Sequence, residues 1–372
     1  MKLGEMEGYE RVHIIDAAKS FRKLGDAWTD AEGSQVGLVM KQQLVATAQL
    51  LENIMAYSGR GIELESGHRR DITRALWQKG IKVSDLACYE NQRGQFCLWM
   101  RAKQFRGTCV TVSKAAAVIS RYFDGEFVPH QGNRNIIGKD FEDYCFVQAP
   151  RYKLLIGRAN CPKSGNTISG DSVNISNLES ARTVIGLWDG MGNGKQANII
   201  SGQAVEMMEY LLEAGFDEAS AIGLINSVFS TGAQSDRTVA VDIGVIDCYL
   251  GTLNCLKMGA VSTFIKRDGI IEVIKSTTLP IGIMSYVDCD TTVKKLYDGD
   301  FIIMVSDGVL ENFTSEDKEM ALVQIIAGLD SNNAGQLANQ ILDVALNQLG
   351  GVAKDDMSVI VAGVFDTNIK VY

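Results

Sequence analysis

Apolar residues recur at helical spacing between residues 18 and 59, with an interruption around Asp30–Ser34. The spacing predicts two helices, of which the second is long and has one broad apolar face. Such a face has to be buried, either against the following domain or against a second copy of the chain. The face consists of Val36, Val39, Leu44, Leu50, Leu51, Ile54 and Met55.

The next segment, residues 61–148, mixes helical and strand patterns. A strand, a helix, a hairpin and a second helix follow one another, which is typical of a small α+β domain, and we interpret it as one of split βαβ type. The predicted elements are a short strand at 62–64, a helix at 68–79, strands at 83–89 and 95–101, and a helix near 113–122.

The apolar pattern of residues 149–368 predicts one larger α/β unit with two pairs of helices. Its short strands are separated by turn-sized gaps, which indicates antiparallel pairing with the helices outside the sheets. We therefore expect three segments: 1–60, 61–148 and 149–368. The predicted strands of the last segment are 153–158, 172–175, 183–188, 237–245, 249–257, 263–266, 271–275, 301–306 and 355–362, and its helices are 196–213, 217–230, 315–327 and 333–349.

Aspartates stand at the edges of four predicted strands of this last segment. They are Asp171, Asp189 before Gly190, Asp307 before Gly308, and the pair Asp355–Asp356. At an effective dielectric constant near 20, two anions about 4 Å apart repel by about 4 kcal/mol, so bare clustering would be unfavourable. Divalent cations would remove that penalty, and a set of oxygen ligands favours Mg²⁺ or Mn²⁺ over zinc. The pattern does not choose between Asp355 and Asp356.

Other interpretations of these residues are weaker. The run Gly190-x-Gly192-x-Gly194 has neither the GxGxxG spacing of a dinucleotide site nor the lysine and hydroxyl pattern of a phosphate loop. Asp298, Asp300 and Asp317 are better interpreted as turn carboxylates or helix caps.

Composition excludes several classes of partner. With 36 Lys and Arg against 45 Asp and Glu, the net charge of −9 argues against nucleic acid or an anionic membrane as the main partner. No apolar run approaches the length of about 18 residues that a membrane span needs, and the first residues lack the layout of a signal peptide. We expect a cytoplasmic protein in which the 8 cysteines are thiols, although a hairpin could bring Cys88 and Cys97 together.

Histidine chemistry is constrained, because all three histidines precede the unit that carries the aspartates. If that unit is a hydrolase, its nucleophile is metal-activated water, which attacks phosphorus directly without a covalent enzyme intermediate.

Four motifs resemble those of the metal-dependent serine/threonine phosphatases of the type 2C superfamily, in order and spacing. They are Ser169–Ser172, Trp188–Gly194, Val305–Val309 and Lys354–Val361. Two further stretches, Lys257–Lys266 and Leu279–Ile283, are similar to the sporulation branch of that superfamily. The resemblance implies a four-layer αββα sandwich, preceded here by a helical linker and a small α+β regulatory domain.

The resemblance also implies ligand roles for two Mn²⁺ or Mg²⁺ ions. Asp189 would bridge both ions, the Gly190 carbonyl and Asp171 would serve one, and Asp307 with Asp355 would serve the other, so Asp189, Asp307 and Asp355 are the expected catalytic residues. Family order favours Asp355 over Asp356. Glu311 matches a position that helps to hold a third ion in relatives.

By resemblance, the substrate is a phosphoserine on an anti-anti-sigma factor, whose dephosphorylation activates a sporulation sigma factor. The N-terminal helix would bias a regulatory helix pair at 196–230 and provide a homodimer contact. Two departures stand out: Thr167 replaces an arginine of eukaryotic relatives, which leaves Arg158 or Lys163 to hold phosphate, and the membrane region of the sporulation proteins is absent from this sequence. The alternative function is a non-catalytic module that binds a partner protein without hydrolysis.

Overall fold

The computed structural model describes residues 8–27, 35–57, 60–90, 94–105, 107, 109–123, 125–130, 133–178, 181–230, 238–284 and 289–367. The chain divides into two compact units, one of residues 1–18 with 51–150 and one of residues 19–50 with 151–372. Both N-terminal helices, α1 (Gly8–Ala27) and α2 (Gln35–Tyr57), are therefore shared between the units. None of the described helices combines the length and the apolar character needed to cross a bilayer.

The first unit contains an antiparallel sheet in the order β1-β2-β3-β5-β4. Each strand pairs with antiparallel neighbours. β3 and β4 both pair with β5, which lies between them, so these two strands run parallel to each other and are connected through α4, which is the expected split βαβ arrangement. Two of the strands, β4 and β5, were absent from the sequence prediction. The elements are β1 (Arg60–Ile62), α3 (Ser66–Gln78), β2 (Ile81–Glu90), β3 (Phe96–Gln104), α4 (Val112–Ile119), a 3₁₀ turn (Ser120–Tyr122), β4 (Phe127–Pro129) and β5 (Glu142–Gln148).

The core of the first unit forms where α3 and α4 pack on one face of this sheet. Alternate residues of the strands point to that face, as the period of two requires. Leu98, Met100 and Ala102 of β3 are fully buried there, together with Ile72 and Leu76 of α3. Cys88 and Cys97 lie on the paired strands β2 and β3 as free thiols, and the other six cysteines are also free, which confirms the prediction.

The second unit contains two five-stranded antiparallel sheets. One has the order β13-β10-β9-β8-β7 and the other the order β12-β11-β14-β15-β6. The elements are β6 (Tyr152–Cys161), β7 (Asp171–Leu178), β8 (Arg182–Gly190), α5 (Gly194–Glu213), α6 (Glu218–Ser230), β9 (Val239–Asp247), β10 (Thr252–Met258), β11 (Thr263–Arg267), β12 (Ile270–Ile274), β13 (Asp290–Lys295), β14 (Phe301–Val305), α7 (Asp307–Glu311), α8 (Lys318–Gly328), α9 (Ala334–Asn347) and β15 (Met357–Asp366).

Three apolar clusters hold the layers of the second unit together. One joins α5 and α6 to the β8–β9–β10 face, a second lies between the two sheets, and a third joins α8 and α9 to β14 and β15. The central strands contribute to clusters on both faces, which explains their continuous apolar runs: β14 is buried at all five positions. The layers are helix, sheet, sheet and helix, so the expected α+β fold with an αββα sandwich is confirmed.

The N-terminal helices pack within this second unit through residues 19–50. Gly25 of α1 approaches α2 closely, because a Cβ added there would lie 3.1 Å from a Val45 methyl carbon. On α2, Ala46 and Ala48 are buried, and Gln42 accepts a hydrogen bond from the Ser227 hydroxyl of α6. Of the predicted apolar face of α2, Leu44 lies beside Gly25 and Leu50 beside Gly215, so the chain itself covers part of that face.

Candidate metal centre

Two of the predicted ligands face each other across the first sheet of the second unit. Asp171 is the first residue of β7, and Asp189 is the penultimate residue of β8. The antiparallel register places them directly opposite each other. Residues opposed in this way have Cα atoms about 5 Å apart, so the two carboxyl groups share one sheet edge.

The third aspartate reaches the site through a short helix that the sequence prediction missed. Asp307 is the first residue of α7, directly after the strand β14 and the N-cap residue Ser306. Gly308 makes this approach possible, because a Cβ there would lie 2.1 Å from the carbonyl oxygen of Asp356. Only glycine permits backbone contact this close. The Asp-Gly pair thus reflects packing of β14 against the start of β15.

Asp355 and Asp356, which the sequence left undecided, have different surroundings. Asp356 is buried, and its two carboxylate oxygens accept backbone hydrogen bonds from Lys163 and Gly170, both at 2.8 Å. The Asp355 side chain is one-third exposed and lies 3.7 Å from the Lys163 ammonium group. Asp356 therefore has a structural role in holding two loops, and Asp355 is the residue of the pair whose carboxylate is open to a ligand.

Asp171 is buried with an incomplete set of hydrogen bonds. The hydroxyl groups of Ser358 and Ser306 interact with its carboxyl group, whereas its Oδ2 atom has no hydrogen-bond partner among the described residues. Burial raises the pKa of Asp171 to about 7; the two serine hydroxyls oppose this rise, and the charges of Asp356 and Asp307 add to it. A buried carboxylate oxygen without a donor is costly unless a proton or a cation occupies it.

Asp189 has the most perturbed carboxyl group of the site. Burial, followed by the charges of Asp171 and Asp307, raises its pKa to about 9. The nearby Asp307 carboxyl group and the negative charge of Asp355 raise this pKa further. Acids that retain protons near neutral pH because they face one another form a site that a cation would stabilise.

The charges of these acids act on one another. In the described part of the chain, however, no three of them lie close enough together to form a complete cation site. Carboxylates without a cation repel one another and move apart or take up protons. The chemistry of the donors fits Mn²⁺ or Mg²⁺: all are oxygens, and one is a buried oxygen without a partner. The ligand set itself stays a prediction.

The remaining predicted ligands lie at the same edge or next to it. Gly190 ends β8, and a Cβ there would lie 2.5 Å from the Ala197 carbonyl oxygen of α5, so this position is closed to any larger residue. Glu311 is exposed at the end of α7, one helical turn after Asp307. Among the described residues, no contact joins the Glu311 carboxylate to the aspartates.

The helix α5 touches the backbone of the site directly. The Ser201 hydroxyl donates to the Gly170 carbonyl oxygen at 2.7 Å, and the Asn198 amide donates to the Ser169 carbonyl oxygen at 2.9 Å. These contacts hold the residues immediately before Asp171. A shift of α5 would therefore move the backbone at both Asp171 and Gly190.

Sequence reasoning missed the residues that support the acids. The hydroxyls of Ser306 and Ser358 contact Asp171, and the Ser306 hydroxyl also accepts a hydrogen bond from the Ser358 amide at 2.8 Å. Both serines stand beside aspartates in the motifs Val305–Val309 and Lys354–Val361, so the signal was present in the sequence. Their role depends on strand pairing between β14 and β15, which no local pattern shows.

Comparison with known families gives a family match. The sequence model of the family "Stage II sporulation protein E (SpoIIE)" matches residues 179–365, half of the chain. The chain is 26% identical over 324 residues to stage II sporulation protein E of Bacillus subtilis (strain 168) and 27% identical over 330 residues to that of Priestia megaterium. Each alignment covers 87% of the chain, which spans 39% and 56% of the length of these two relatives, respectively.

Solved structures extend the likeness to the fold. The structure of the PP2C phosphatase domain with a fragment of the regulatory domain of SpoIIE from Bacillus subtilis has a TM-score of 0.66 at 25% identity, covering 88% of this chain and 94% of that one. The phosphatase domain alone has a TM-score of 0.50 at 29% identity and covers 60% of this chain and 98% of that one. The prediction of the sporulation branch is thereby confirmed. The chain belongs to the stage II sporulation protein E family, and its C-terminal unit is a PP2C-type phosphatase domain.

Proposed function

We propose that the chain is a Mn²⁺- or Mg²⁺-dependent protein serine phosphatase that dephosphorylates an anti-anti-sigma factor and so activates a sporulation sigma factor. One observation carries the metal-dependent part: Asp171 and Asp189 face each other at a sheet edge, the charge of Asp307 acts on Asp189, and a buried oxygen of Asp171 has no donor among the described residues. Family membership supports the sporulation role.

The placement of the acids supports the proposed ligand set. The charges of both Asp171 and Asp307 act on Asp189, which is suited to bridge two cations. The Gly190 carbonyl and Asp171 would complete one site, and Asp307 with Asp355 the other, with Glu311 available for a third ion. When bound, the cations would offset the carboxylate repulsion and acidify the water that attacks phosphorus.

A cation from the chain itself is suited to hold the substrate phosphate. Lys163 is held beside the site, because its backbone amide donates to Asp356 and its ammonium group lies 3.7 Å from Asp355. Arg158, the other candidate, lies within β6 opposite Ile360, further along β15 from the acids. We propose Lys163 as the residue that neutralises the phosphate, in place of the arginine missing at Thr167.

We further propose that α2, α5 and α6 regulate the site. α6 is tied to the loop after β12, because Asn226 donates to the Met284 carbonyl oxygen and accepts from the Gly282 amide, both at 2.9 Å. Ile281 in that loop pairs with Val239 of β9, which lies opposite Gly190. α2 contacts α6 through Gln42, so a signal that moves α2 has a contiguous route to the ligand backbone. The predicted homodimer through the N-terminal helices stays a prediction.

The test is phosphate release from phosphorylated anti-anti-sigma proteins by the purified chain, after removal of metal and titration with Mn²⁺. We expect hydrolysis only with the cation, and its loss in Asp189→Asn with the fold retained. The matched control is Asp298→Asn, an exposed acid whose carboxylate accepts a hydrogen bond from the Asp366 amide, away from the site. Wild-type turnover by Asp189→Asn would refute the assignment. Binding of the phosphoprotein without hydrolysis at any Mn²⁺ concentration would instead support the non-catalytic module.

A further inference from the structure

A basic groove runs along the surface of the first unit, between α3 and β2. It encloses about 470 Å³, within the range of about 300–1,000 Å³ typical of small-molecule sites. The proposed phosphatase function does not involve it, because all of its residues belong to the unit that precedes the metal centre in the chain. It is lined by Arg69, Arg70, Thr73, Arg74, Trp77, Val83, Ser84 and Leu86.

The three arginines of the groove have no acidic partner. In the part of the chain that the structure describes, none of their guanidinium groups forms an ion pair, and the one side-chain bond they make is from Arg70 Nε to the Ser66 carbonyl oxygen at 3.1 Å. Several arginines elsewhere are paired, since Arg182 binds Glu218 and Arg267 binds Asp300. In a chain with net charge −9, a group of three unpaired cations is conspicuous.

This arrangement opposes the stability of its own helix. Arg70 and Arg74 are four residues apart and repel each other, and Asp71 is the one acid within α3 that offsets them. Arg69 and Arg70, in the N-terminal half of the helix, also oppose the helix dipole. Charges that destabilise their own helix are expected where a functional site requires them. The arginines therefore point to an anion that the groove receives.

The floor of the groove offers an aromatic surface beside these cations. The indole ring of Trp77 stacks on Phe105, with ring centroids 4.0 Å apart and an interplanar angle of 27°, yet Trp77 remains 44% exposed. On the opposite wall, the pairing of β2 with β3 shifts register between Val83 and Asp85, which places the exposed Ser84 in an irregular position of the strand. Such bulges often re-aim a side chain next to a binding site.

We propose that this groove binds a phosphorylated ligand with at least two phosphate groups. Guanidinium groups bind phosphate oxygens through paired, charge-assisted hydrogen bonds, and three of them match the charge of a di- or triphosphate. The stacked Trp77 ring provides a flat surface for a planar group carried by the ligand. Phosphates of this kind come either from a soluble nucleotide or from a phospholipid headgroup, and the experiment separates these two sources.

The experiment uses the full chain carrying Asp189→Asn, in EDTA, so that the metal centre does not hold phosphate. Binding of ATP and of pyrophosphate is measured by isothermal titration calorimetry, and binding to phosphatidylglycerol vesicles by co-sedimentation. We expect Arg70→Gln/Arg74→Gln to weaken binding by about tenfold or more, since each charge-assisted bond is a strong one. The control, Lys114→Gln/Lys139→Gln, removes two exposed cations of the same unit outside the groove and should bind like its parent.

Each outcome has a defined meaning. Saturable binding of ATP or pyrophosphate that the arginine pair controls supports the proposal with a soluble source. Binding to vesicles alone, again controlled by the arginine pair, supports it with a lipid source. No binding to any probe, or equal loss in the arginine and lysine variants, overturns it. Thermal unfolding of the arginine variant serves as a folding check, and we expect its midpoint to be at least that of the parent, because the removed charges repel.

Discussion

The two ends of the strand β14 carry aspartates with opposite electrostatic surroundings. Asp300, just before the strand, is fully buried and is bound by both sides of the Arg267 guanidinium group at 2.7 and 2.8 Å, and by the Tyr297 amide at 2.8 Å. Asp307, which follows the strand after Ser306, instead faces other acids, including Asp189, whose pKa its charge helps to raise. Six residues separate a neutralised carboxylate from a group of carboxyls that repel one another.

The difference shows what distinguishes a structural acid from a ligand. A buried carboxylate matched by a cation of the chain is stable as it is, and removal of either partner leaves an uncompensated charge. At the other end of the strand, Lys163 is the one cation within ion-pair range of the site acids in the described residues, and it contacts Asp355 alone. Those acids depend on protons or on a cation from solution.

The largest expected effect comes from removing a charge at the ligand end. Asp307→Asn should lower Mn²⁺-dependent phosphate release by on the order of a thousandfold, because an amide holds a divalent cation far less strongly than a carboxylate. Steady-state kinetics over a Mn²⁺ titration measures this. The free energy of unfolding should stay equal to or above that of the parent without metal, since one repelling charge is gone. A variant that unfolds at room temperature would contradict the contrast with Asp300.

The same substitution at Asp300 should lower stability and leave the Mn²⁺ dependence of activity unchanged. Asp300→Asn should destabilise the protein by about 3 kcal/mol, because it leaves Arg267 without its counter-charge. Urea unfolding followed by circular dichroism measures the loss. The Mn²⁺ concentration for half-maximal activity should be unchanged in the fraction that folds. If Asp300→Asn shifted that concentration while stability stayed constant, Asp300 would belong to the metal centre.

The third prediction concerns pH and the protein without metal. The pKa values of Asp171 and Asp189 are raised from 3.8 to about 7 and about 9, respectively, so the folded state binds their protons more tightly than the unfolded state does. Their contribution to stability is complete below pH 3.8 and is lost as the pH rises through about 7 and then about 9. Between pH 6 and pH 9 the free energy of unfolding of the metal-free protein should fall by on the order of 5 kcal/mol.

Guanidinium chloride unfolding at a series of pH values measures the slope with which the free energy of unfolding falls as the pH rises. Saturating Mn²⁺ should reduce this slope, because a bound cation replaces the protons. Asp189→Asn should flatten it without metal, whereas Asp298→Asn should leave it unchanged. A metal-free protein that gained stability over this pH range would show that the acids are not coupled.

The smallest effect is expected for the one cation at the ligand end. Lys163→Met should raise KM for the phosphoprotein by about tenfold, with a smaller change in kcat, if the ammonium group holds the phosphate in the ground state. Arg158→Met is the control and should change neither constant by more than about twofold. Equal effects of the two substitutions would remove Lys163 from the proposed phosphate site.

Local patterns predicted most of the elements, with boundaries a few residues off. The two N-terminal helices and both helix pairs of the second unit are present, as are the strands that carry Asp171, Asp189 and Asp307. Three strands were missed for physical reasons. β4 has three residues, β5 mixes polar with aromatic positions, and β13 is an edge strand of the sequence DTTVKK, which has no apolar face of its own.

No local sequence pattern predicted which strands pair with each other. The split βαβ interpretation of the first unit left out β4 and β5, which complete that arrangement, because the same order of elements fits several sheets and only the packed core selects one. For the same reason the helix α7 and the supporting serines were missed. Ser306 and Ser358 lie 52 residues apart and meet through the register of β14 with β15.

The sequence by itself determined the periodicity of each element, the closeness of glycine to Asp189 and Asp307, and the abundance of oxygen ligands without histidine. Only the tertiary structure decided which acids have a cation of their own. Asp300 and Asp307 look alike along the chain, each at one end of the same apolar strand. They differ because Arg267 on β11 reaches one of them, while β7, β8 and β15 bring further acids to the other. Charge compensation depends on distance in space, which sheet pairing sets.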